Sequence, residues 1–296
     1  MNKLIDPAQF AFVPNRWITE NVILAQEVVH SFKTLKRKKG YIGVKLDFKK
    51  AYDLMEWSFL EAVLRAFGFN NKVVHFLMQC VCSVQFTLLL NGGIWSNFCP
   101  SCGLRQGDPL SPYLFILGSE VLLRLLNRKV QQGSLMSVKL GNLAPPISKL
   151  CYADDVILLC RARMDDVQPL MSCINTYCAW SGQMVSIEKS RAFYSKGVHT
   201  QFQKQVKCLW GLKTLPQSTK YLGIPLFLSH NRKKDFSYVK EKLESKTSSW
   251  KSKSLSWMGR ATLIKSVAMA IPSYYMAAFQ LPKSLCEEMD SCVKSF

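Results

Sequence analysis

Two carboxylates stand side by side at Asp154 and Asp155, framed by the apolar runs Leu150-Cys151-Tyr152 and Val156 to Cys160. Runs this short, rich in β-branched and aromatic residues, predict the two strands of a buried hairpin whose tight turn carries both aspartates at its tip. An ionised carboxylate is costly to bury, and two adjacent ones more so, unless a cation neutralises them. Ligation by aspartate oxygens alone favours Mg²⁺, with Mn²⁺ as the alternative. An isolated Asp-Asp is more often a solvated turn, and a third carboxylate at the end of a similar strand separates the two cases. The segment Tyr41-Ile42-Gly43-Val44-Lys45-Leu46-Asp47 supplies it. On two-fold alternation Ile42, Val44 and Leu46 share one face, and Tyr41, Gly43, Lys45 and Asp47 share the other.

Three aspartates at strand ends, distant in sequence but converging on one sheet, are what two-metal nucleotidyl transfer requires. One ion lowers the pKa of a primer 3′-hydroxyl; the other holds a triphosphate and stabilises the leaving pyrophosphate. A two-metal nuclease would use the same carboxylates. It would leave unexplained the loop Gly103-Leu104-Arg105-Gln106-Gly107-Asp108-Pro109-Leu110 and the aromatic that follows the first aspartate. A glycine-flanked loop that feeds a helix N-terminus can receive a phosphate or sugar edge.

The elements that position these groups follow from pattern. Apolar residues from Val22 to Leu35 keep helical spacing, and the helix runs into Lys33 and Lys36 to Lys39 before Gly40, a basic, glycine-closed helix end. Helices are expected from about Glu56 to Phe67 and Lys72 to Ser83. A hairpin is expected at Gln85–Leu90 and Ile94–Phe98 around Asn91-Gly92-Gly93. Ser111 is the expected N-cap of a long apolar helix with Pro112 at its first position. Asp165 and Asp166 cap a helix to about Trp180, and Val185 to Ser190 leads to a strand near Ala192 to Ser195. A helix and connector at 199–220 follow, then a short strand-like element at Tyr221 to Pro225. Asn231 to Lys253 reads as a Lys-rich helix with Phe236, Val239, Leu243 and Trp250 as its apolar stripe. A last helix is expected from Arg260 to Ile271, ending at Pro272. Asp53, Asp108 and Asp165 read as structural, and a soft boundary lies between 196 and 230.

The bulk numbers set limits. With 296 residues, 48% hydrophobic and 20% charged, the chain is globular and long enough for one or two domains. Its net charge of +19 suits a polyanionic partner. There is no 18-residue apolar stretch and no h-region after Met1, so neither a membrane span nor secretion is expected, and the location is intracellular, nuclear or cytoplasmic. Of the eleven scattered cysteines, the several that lie inside apolar helical or strand patterns read as small buried hydrophobes of a reducing compartment. Cys99 and Cys102 have zinc-knuckle spacing without a second pair, a weak signal.

Four ordered motifs resemble the successive motifs of reverse transcriptases: Asp47-Phe48-Lys49-Lys50-Ala51-Tyr52-Asp53, Gly103 to Pro112, Tyr152-Ala153-Asp154-Asp155, and Gly182 to Ser190. The likeness is greatest to the LINE-type (non-LTR) retrotransposon class, plant elements in particular, where Gln9 to Arg16 and Tyr221 to Pro225 also resemble flanking segments. The resemblance implies an α+β right-hand fold, with fingers, a palm of antiparallel sheet backed by helices, and a helical thumb. It divides the chain into incomplete fingers and palm (1–196) and a connector with a thumb-like region (197–296).

The resemblance also implies roles. Asp47 and Asp154 are expected as principal ligands of two Mg²⁺ ions, with Asp155 assisting and the Phe48 carbonyl as a further ligand. Tyr52 would pack under the incoming sugar and exclude a 2′-hydroxyl. Gln106 would lie near the bound nucleotide, Arg16 near the triphosphate, and Lys189 would protonate pyrophosphate. Lys240, Lys242, Lys246, Lys251 and Lys253 would face the backbone of an RNA–DNA hybrid read by its A-form shape. The implied partners are an RNA template, a DNA primer and dNTPs, with no membrane. Asn15 and Ser186 depart from the usual glycine and asparagine. A fingers segment before Gln9 and an upstream endonuclease domain, expected in a full-length relative, are absent here, so the chain looks like a piece of a longer polyprotein. The alternatives are an inactive remnant that retains nucleic-acid binding, and a polymerase of the group II intron maturase type.

Overall fold

A computed structural model describes residues 4–34, 40–141, 144–251 and 255–296. The basic run Lys36 to Lys39 that follows Leu35 lies outside the described residues, as do Lys253 and the side chains of Trp250 and Lys251. Contacts divide the chain into two compact units: Met1–Asn21 with Ser31–Leu215, and Val22–His30 with Pro216–Phe296.

The first unit is organised by a five-stranded sheet. Its strands are β1 (Tyr41–Leu46), β4 (Lys149–Tyr152), β5 (Asp155–Arg161), β6 (Arg191–Tyr194) and β7 (Lys213–Thr214), in the order β4-β5-β1-β6-β7. All pairings are antiparallel except the edge strand β7, which runs parallel to β6. Central β1 is buried on both sides, and its alternation holds. Ile42, Val44 and Leu46 enter the main core with Val156, Leu158, Cys160 and Ala192. That face is covered by α2 (Trp57–Ala66), α4 (Ser111–Gln131) and α5 (Met164–Ser181), through residues such as Leu60, Leu64, Leu114 and Ile174. On the other face Phe32, from the end of α1 (Ile18–Thr34), packs on Tyr41 and Phe193 with ring centroids 5.9 and 5.4 Å apart. Gly43 is required there, since a Cβ would stand 2.2 Å from the Phe193 ring.

Outside the sheet, α3 (Asn71–Cys82) leads to a hairpin of β2 (Phe86–Leu90) and β3 (Gly93–Phe98). Its two turn residues, Asn91 and Gly92, both have positive φ, as a type I′ turn demands. The Ser111 expectation needs correction. Leu110 is the N-cap of α4 and Ser111 the first helical residue. The preceding turn is closed by Asp108, whose carboxylate accepts from Leu110 N–H at 2.8 Å and whose carbonyl accepts from Ser111 N–H. At the start of α5 the N-cap is Arg163; Asp165 and Asp166 lie in the first turn, where they suit the helix dipole. Gly182, in left-handed conformation, ends that helix. Beyond β6, α6 (Thr200–Trp210) packs within this unit through Val206 and Trp210.

In the second unit, β8 (Lys220–Tyr221) and β9 (Ile224–Pro225) form a minimal hairpin, and the Pro225 carbonyl accepts from Gln26 Nε2 at 2.7 Å. The helix α7 (Arg232–Lys251) buries Phe236, Val239 and Leu243, and α10 (Lys283–Lys294) buries Leu285 and Met289. Pro272 does not end a helix. The chain passes from α8 (Trp257–Leu263) through a π-turn at Ile264–Ala268 into α9 (Ala270–Met276), with Pro272 in the first turn of α9. A proline is tolerated there because the N–H groups of a helix's first turn have no intrahelical acceptor. Among the described residues no helix is long and apolar enough to cross a membrane.

Candidate active site

The antiparallel register of β1 and β5 brings the aspartates together. Leu46 pairs with Val156, so Asp47 leaves β1 where Asp155 enters β5. The hairpin is tighter than the sequence implied. Tyr152 pairs with Asp155, the turn is Ala153-Asp154 alone, and Asp155 is the first residue of a strand rather than part of the tip. A two-residue turn needs a left-handed conformation, and here Ala153 takes it, with φ of 54°. A residue with a Cβ is strained there.

Gln9 holds that turn. Its side chain is 1% exposed, and Oε1 accepts from Ala153 N–H and Ala11 N–H, each at 3.0 Å. The segment around Gln9 lies beside β4, with Phe10 N–H donating to the Cys151 carbonyl and Cys151 N–H to the Ala8 carbonyl, both at 2.9 Å. A buried ion pair anchors it: Lys149 Nζ is 3.0 Å from Asp6 Oδ2, and Asn127 bonds both residues. Burial pushes the Asp6 carboxyl up, but the Ala8 N–H, Lys149 and Asn127 outweigh it and hold it below the usual range. Gln9 opens the Gln9 to Arg16 segment of the resemblance, which implies no role for it, and Asp6, Lys149 and Asn127 carry no site signal in the sequence, because the fold alone brings them together.

The other motifs are stitched to the segment 47–56. On one side Asp47 N–H donates to Ser190 Oγ at 3.0 Å, and the Asp47 carbonyl accepts from Ser186 N–H at 2.8 Å. Lys49 N–H reaches the Met184 carbonyl at 2.8 Å, and Gln183 Nε2 the Ala51 carbonyl at 2.6 Å. This pairing uses groups of Asp47 and Lys49, not the carbonyl of Phe48. On the other side Leu104 N–H donates to the Tyr52 carbonyl, Gly103 N–H to the Met55 carbonyl, and Trp57 Nε1 to the Gly103 carbonyl. Gly103 lies so close that a Cβ would stand 2.6 Å from the Asp53 carbonyl oxygen. The loop it opens lines a cavity of about 410 Å³ with Asp53 and Phe86.

Individual side chains then take their places. Tyr52 stacks on Phe115 with centroids 4.7 Å apart and planes 10° apart; burial and the charge of Asp154 push its hydroxyl pKa up. Gln106 Nε2 donates to Asp53 Oδ1 at 3.1 Å. Lys189 is exposed and precedes the Ser190 that binds the Asp47 backbone. Arg16 is not turned to the carboxylates: its guanidinium donates to the backbone carbonyls of Ile5, Asp6 and Gln9. In the second unit, Lys240 bonds Glu288 at 2.9 Å and lies 3.6 Å from Glu244, while Lys242 and Lys246 are exposed. Hydrogen bonds from Lys233 and Lys240 bring Glu288 down to about 2.

The electrostatics of the three aspartates are uneven. Solvent reaches Asp154, yet the protein packed beneath the turn, and then the charges of Asp155 and Asp47, push its pKa above the usual 3.8. Asp155 is bonded by Lys45, whose Nζ lies 2.7 Å from Oδ1, and the same ammonium partly offsets the rise at Asp154. Among the described residues no three His, Cys, Asp or Glu side chains are gathered so as to hold one ion. The donor set nonetheless fits a hard divalent cation: Asp47 and Asp154 offer carboxylate oxygens only, and their mutual repulsion is what such a cation relieves.

Comparison with known proteins follows the same residues. The family model described as reverse transcriptase (RNA-dependent DNA polymerase) matches residues 1–226. The chain is 27% identical to the transposon TX1 uncharacterized 149 kDa protein of Xenopus laevis, over 90% of this chain and 20% of that one. It is 29% identical to a retrovirus-related Pol polyprotein from a type-1 retrotransposable element R2 of Popillia japonica, over 69% of this chain and 33% of that one. The chain therefore spans a third or less of the length of these relatives. Among solved structures, telomerase from Candida tropicalis in complex with a TWJ fragment of telomeric RNA superposes with a TM-score of 0.52 at 13% identity, covering 91% of this chain and 43% of that one.

Proposed function

This chain belongs to the reverse transcriptase (RNA-dependent DNA polymerase) family, with a right-hand polymerase fold, and we propose that it adds dNTPs to the 3′-hydroxyl of a DNA primer on an RNA template. The observation that carries this reading is the meeting of Asp47 with the Ala153-Asp154 turn, at a point where the 103–106 loop and the 182–190 segment are both bonded to the chain that follows Asp47. Four motifs separated in sequence thereby frame one acidic centre.

Asp47 and Asp154 would hold the divalent ions, Mg²⁺ or Mn²⁺, with the Phe48 carbonyl available as a neutral ligand. Bound there, such ions supply activation of the 3′-hydroxyl and charge neutralisation on the leaving pyrophosphate. The protein's own residues do the rest. Tyr52, stacked on Phe115 near Asp154, would exclude a ribose 2′-hydroxyl with its ring. Gln106 edges the nucleotide pocket through Asp53. Lys189, exposed beside Ser190, can carry a proton to pyrophosphate. Arg16 serves through Gln9, whose carbonyl it binds, and reaches a triphosphate only if those carbonyl bonds yield. We assign the first unit to the palm with part of the fingers and the second to the thumb. In the thumb Lys242 and Lys246 face the hybrid backbone, whereas Lys240 ties α7 to α10.

Primer extension tests this. With an RNA template, a DNA primer, dNTPs and Mg²⁺, the chain should give labelled DNA, and Asp154→Asn should abolish it. Tyr52→Ala should admit ribonucleotides. Template binding without extension would overturn the polymerase reading and leave nucleic-acid binding alone.

A further inference from the structure

The three aspartates differ in what stands next to them. On β1, Lys45 is two residues before Asp47 and therefore on the same face of the sheet. Across the β1–β5 ladder Lys45 pairs with Ile157, so Asp155, two residues earlier on β5, is its same-face diagonal neighbour. Long side chains span that diagonal, and Lys45 Nζ sits 2.7 Å from Asp155 Oδ1. The lysine side chain is 13% exposed and the aspartate's 34%. A lysine this far withdrawn from water on a central strand is held by its counter-charge. No such cation bonds the carboxylate of Asp47 or Asp154 among the described residues. The acidic centre is thus two plus one: Lys45 bonds Asp155 directly, reaches Asp154 only as a nearby charge, and bonds neither Asp154 nor Asp47.

We propose that Lys45 is a positioning residue of the polymerase reaction, which holds the Asp155 carboxylate out of metal coordination and leaves Asp47 and Asp154 as the ligand pair. This rests on the reading of the site as a metal-dependent polymerase centre. Its physical logic is competition for one set of oxygens. A carboxylate whose oxygen accepts a hydrogen bond from an ammonium at 2.7 Å is a poorer ligand for a divalent ion. Three free carboxylates would bind a cation more tightly and in a different geometry from two. Lys45 also removes one negative charge from the place where a triphosphate must arrive, which favours nucleotide entry.

The test reads metal affinity without nucleotide, by the electron paramagnetic resonance signal of free Mn²⁺, alongside kcat and KM for dNTP on the full chain. Asp154→Asn should weaken Mn²⁺ binding by about tenfold or more, whereas Asp155→Asn should change it by less than about threefold. Lys45→Met should tighten Mn²⁺ several-fold while kcat falls and KM for dNTP rises, and Lys45→Arg should restore all three. If Asp155→Asn weakens Mn²⁺ as much as Asp154→Asn does, Asp155 is a ligand and the proposal is wrong. It is equally wrong if Lys45→Met folds and leaves Mn²⁺ affinity at the wild-type value. If Lys45→Met does not fold, the Asp155→Asn comparison and Lys45→Arg decide alone. Should Asp154→Asn leave Mn²⁺ binding unchanged, the metal-centre reading itself fails, a different outcome from either of these.

Discussion

Two hairpins of the first unit are built alike and live differently. Both β2–β3 and β4–β5 are antiparallel pairs closed by two residues, the first of which has positive φ. In β2–β3 the turn is Asn91-Gly92, residues that tolerate this conformation, and every residue of both strands is exposed. In β4–β5 the turn begins with Ala153, which does not, and the strands are almost wholly buried. The first hairpin forms on turn chemistry and cross-strand pairs such as the stacked rings of Phe86 and Phe98. The second is held by its surroundings: β1 on one side, the Gln9 segment on the other, and a glutamine amide oxygen on the strained turn. The hairpin that carries Asp154 can accept strain because its neighbours over-determine it. The exposed one has no such neighbours among its described contacts. It also lies within a run, Val73 to Leu104, that contains no Asp, Glu, Lys or Arg in a chain of net charge +19.

The comparison can be broken at several points. The largest effect should be chemical: Asp154→Asn lowers primer extension by roughly 10² to 10³ or more, the scale for removing a group that stabilises transition-state charge. Next, Leu158→Ala in β5, at a fully buried position, should cost about 2–5 kcal/mol in denaturant unfolding. The matching Leu89→Ala in β2, 67% exposed, should stay within about 0.5 kcal/mol. Gln9→Ala strands the amides of Ala11 and Ala153 and should cost about 1–3 kcal/mol, with a loss of extension out of proportion to that because the turn loosens.

A smaller effect concerns pH. In the folded state the Asp154 carboxyl is raised above 3.8, so folding favours its protonated form; that contribution is present below the unfolded value and is lost as pH rises through the folded one. In EDTA at pH 7, Asp154→Asn should therefore melt slightly above wild type, and the gap should close as pH falls below 3.8; a variant that melts lower at pH 7 would contradict this. Smallest of all, Trp95→Ser at a 74% exposed site should leave stability unchanged while reducing concentration-dependent light scattering.

Much of this was legible in the residues. The alternation of Ile42, Val44 and Leu46 against Gly43 and Lys45 gave the faces of β1, and Asn91-Gly92 gave the exposed hairpin, because both signals are local. The family and its fold followed from the four motifs. Some slips were local, a matter of which neighbour closes a turn or where a helix begins, and others came from distant partners. Asp155 belongs to a strand because Tyr152 pairs with it, Ser111 is not a cap because Asp108 closes the turn first, and Pro272 ends no helix because it stands in the first turn of a new one. Arg16 reads as a free cation until the carbonyls of Ile5, Asp6 and Gln9 are folded around it. Lys240 reads as a nucleic-acid contact until Glu288 arrives from α10. Lys45 was visible as a face-mate of Asp47, but its bond to Asp155 depends on a register no local pattern encodes.

The most direct measurement is RNA-templated primer extension run side by side on wild type, Asp154→Asn and Trp95→Ser, each checked for a cooperative thermal transition. The account predicts DNA product from wild type and Trp95→Ser and none from folded Asp154→Asn. Equal extension by Asp154→Asn, or none from any of the three folded proteins, would contradict it.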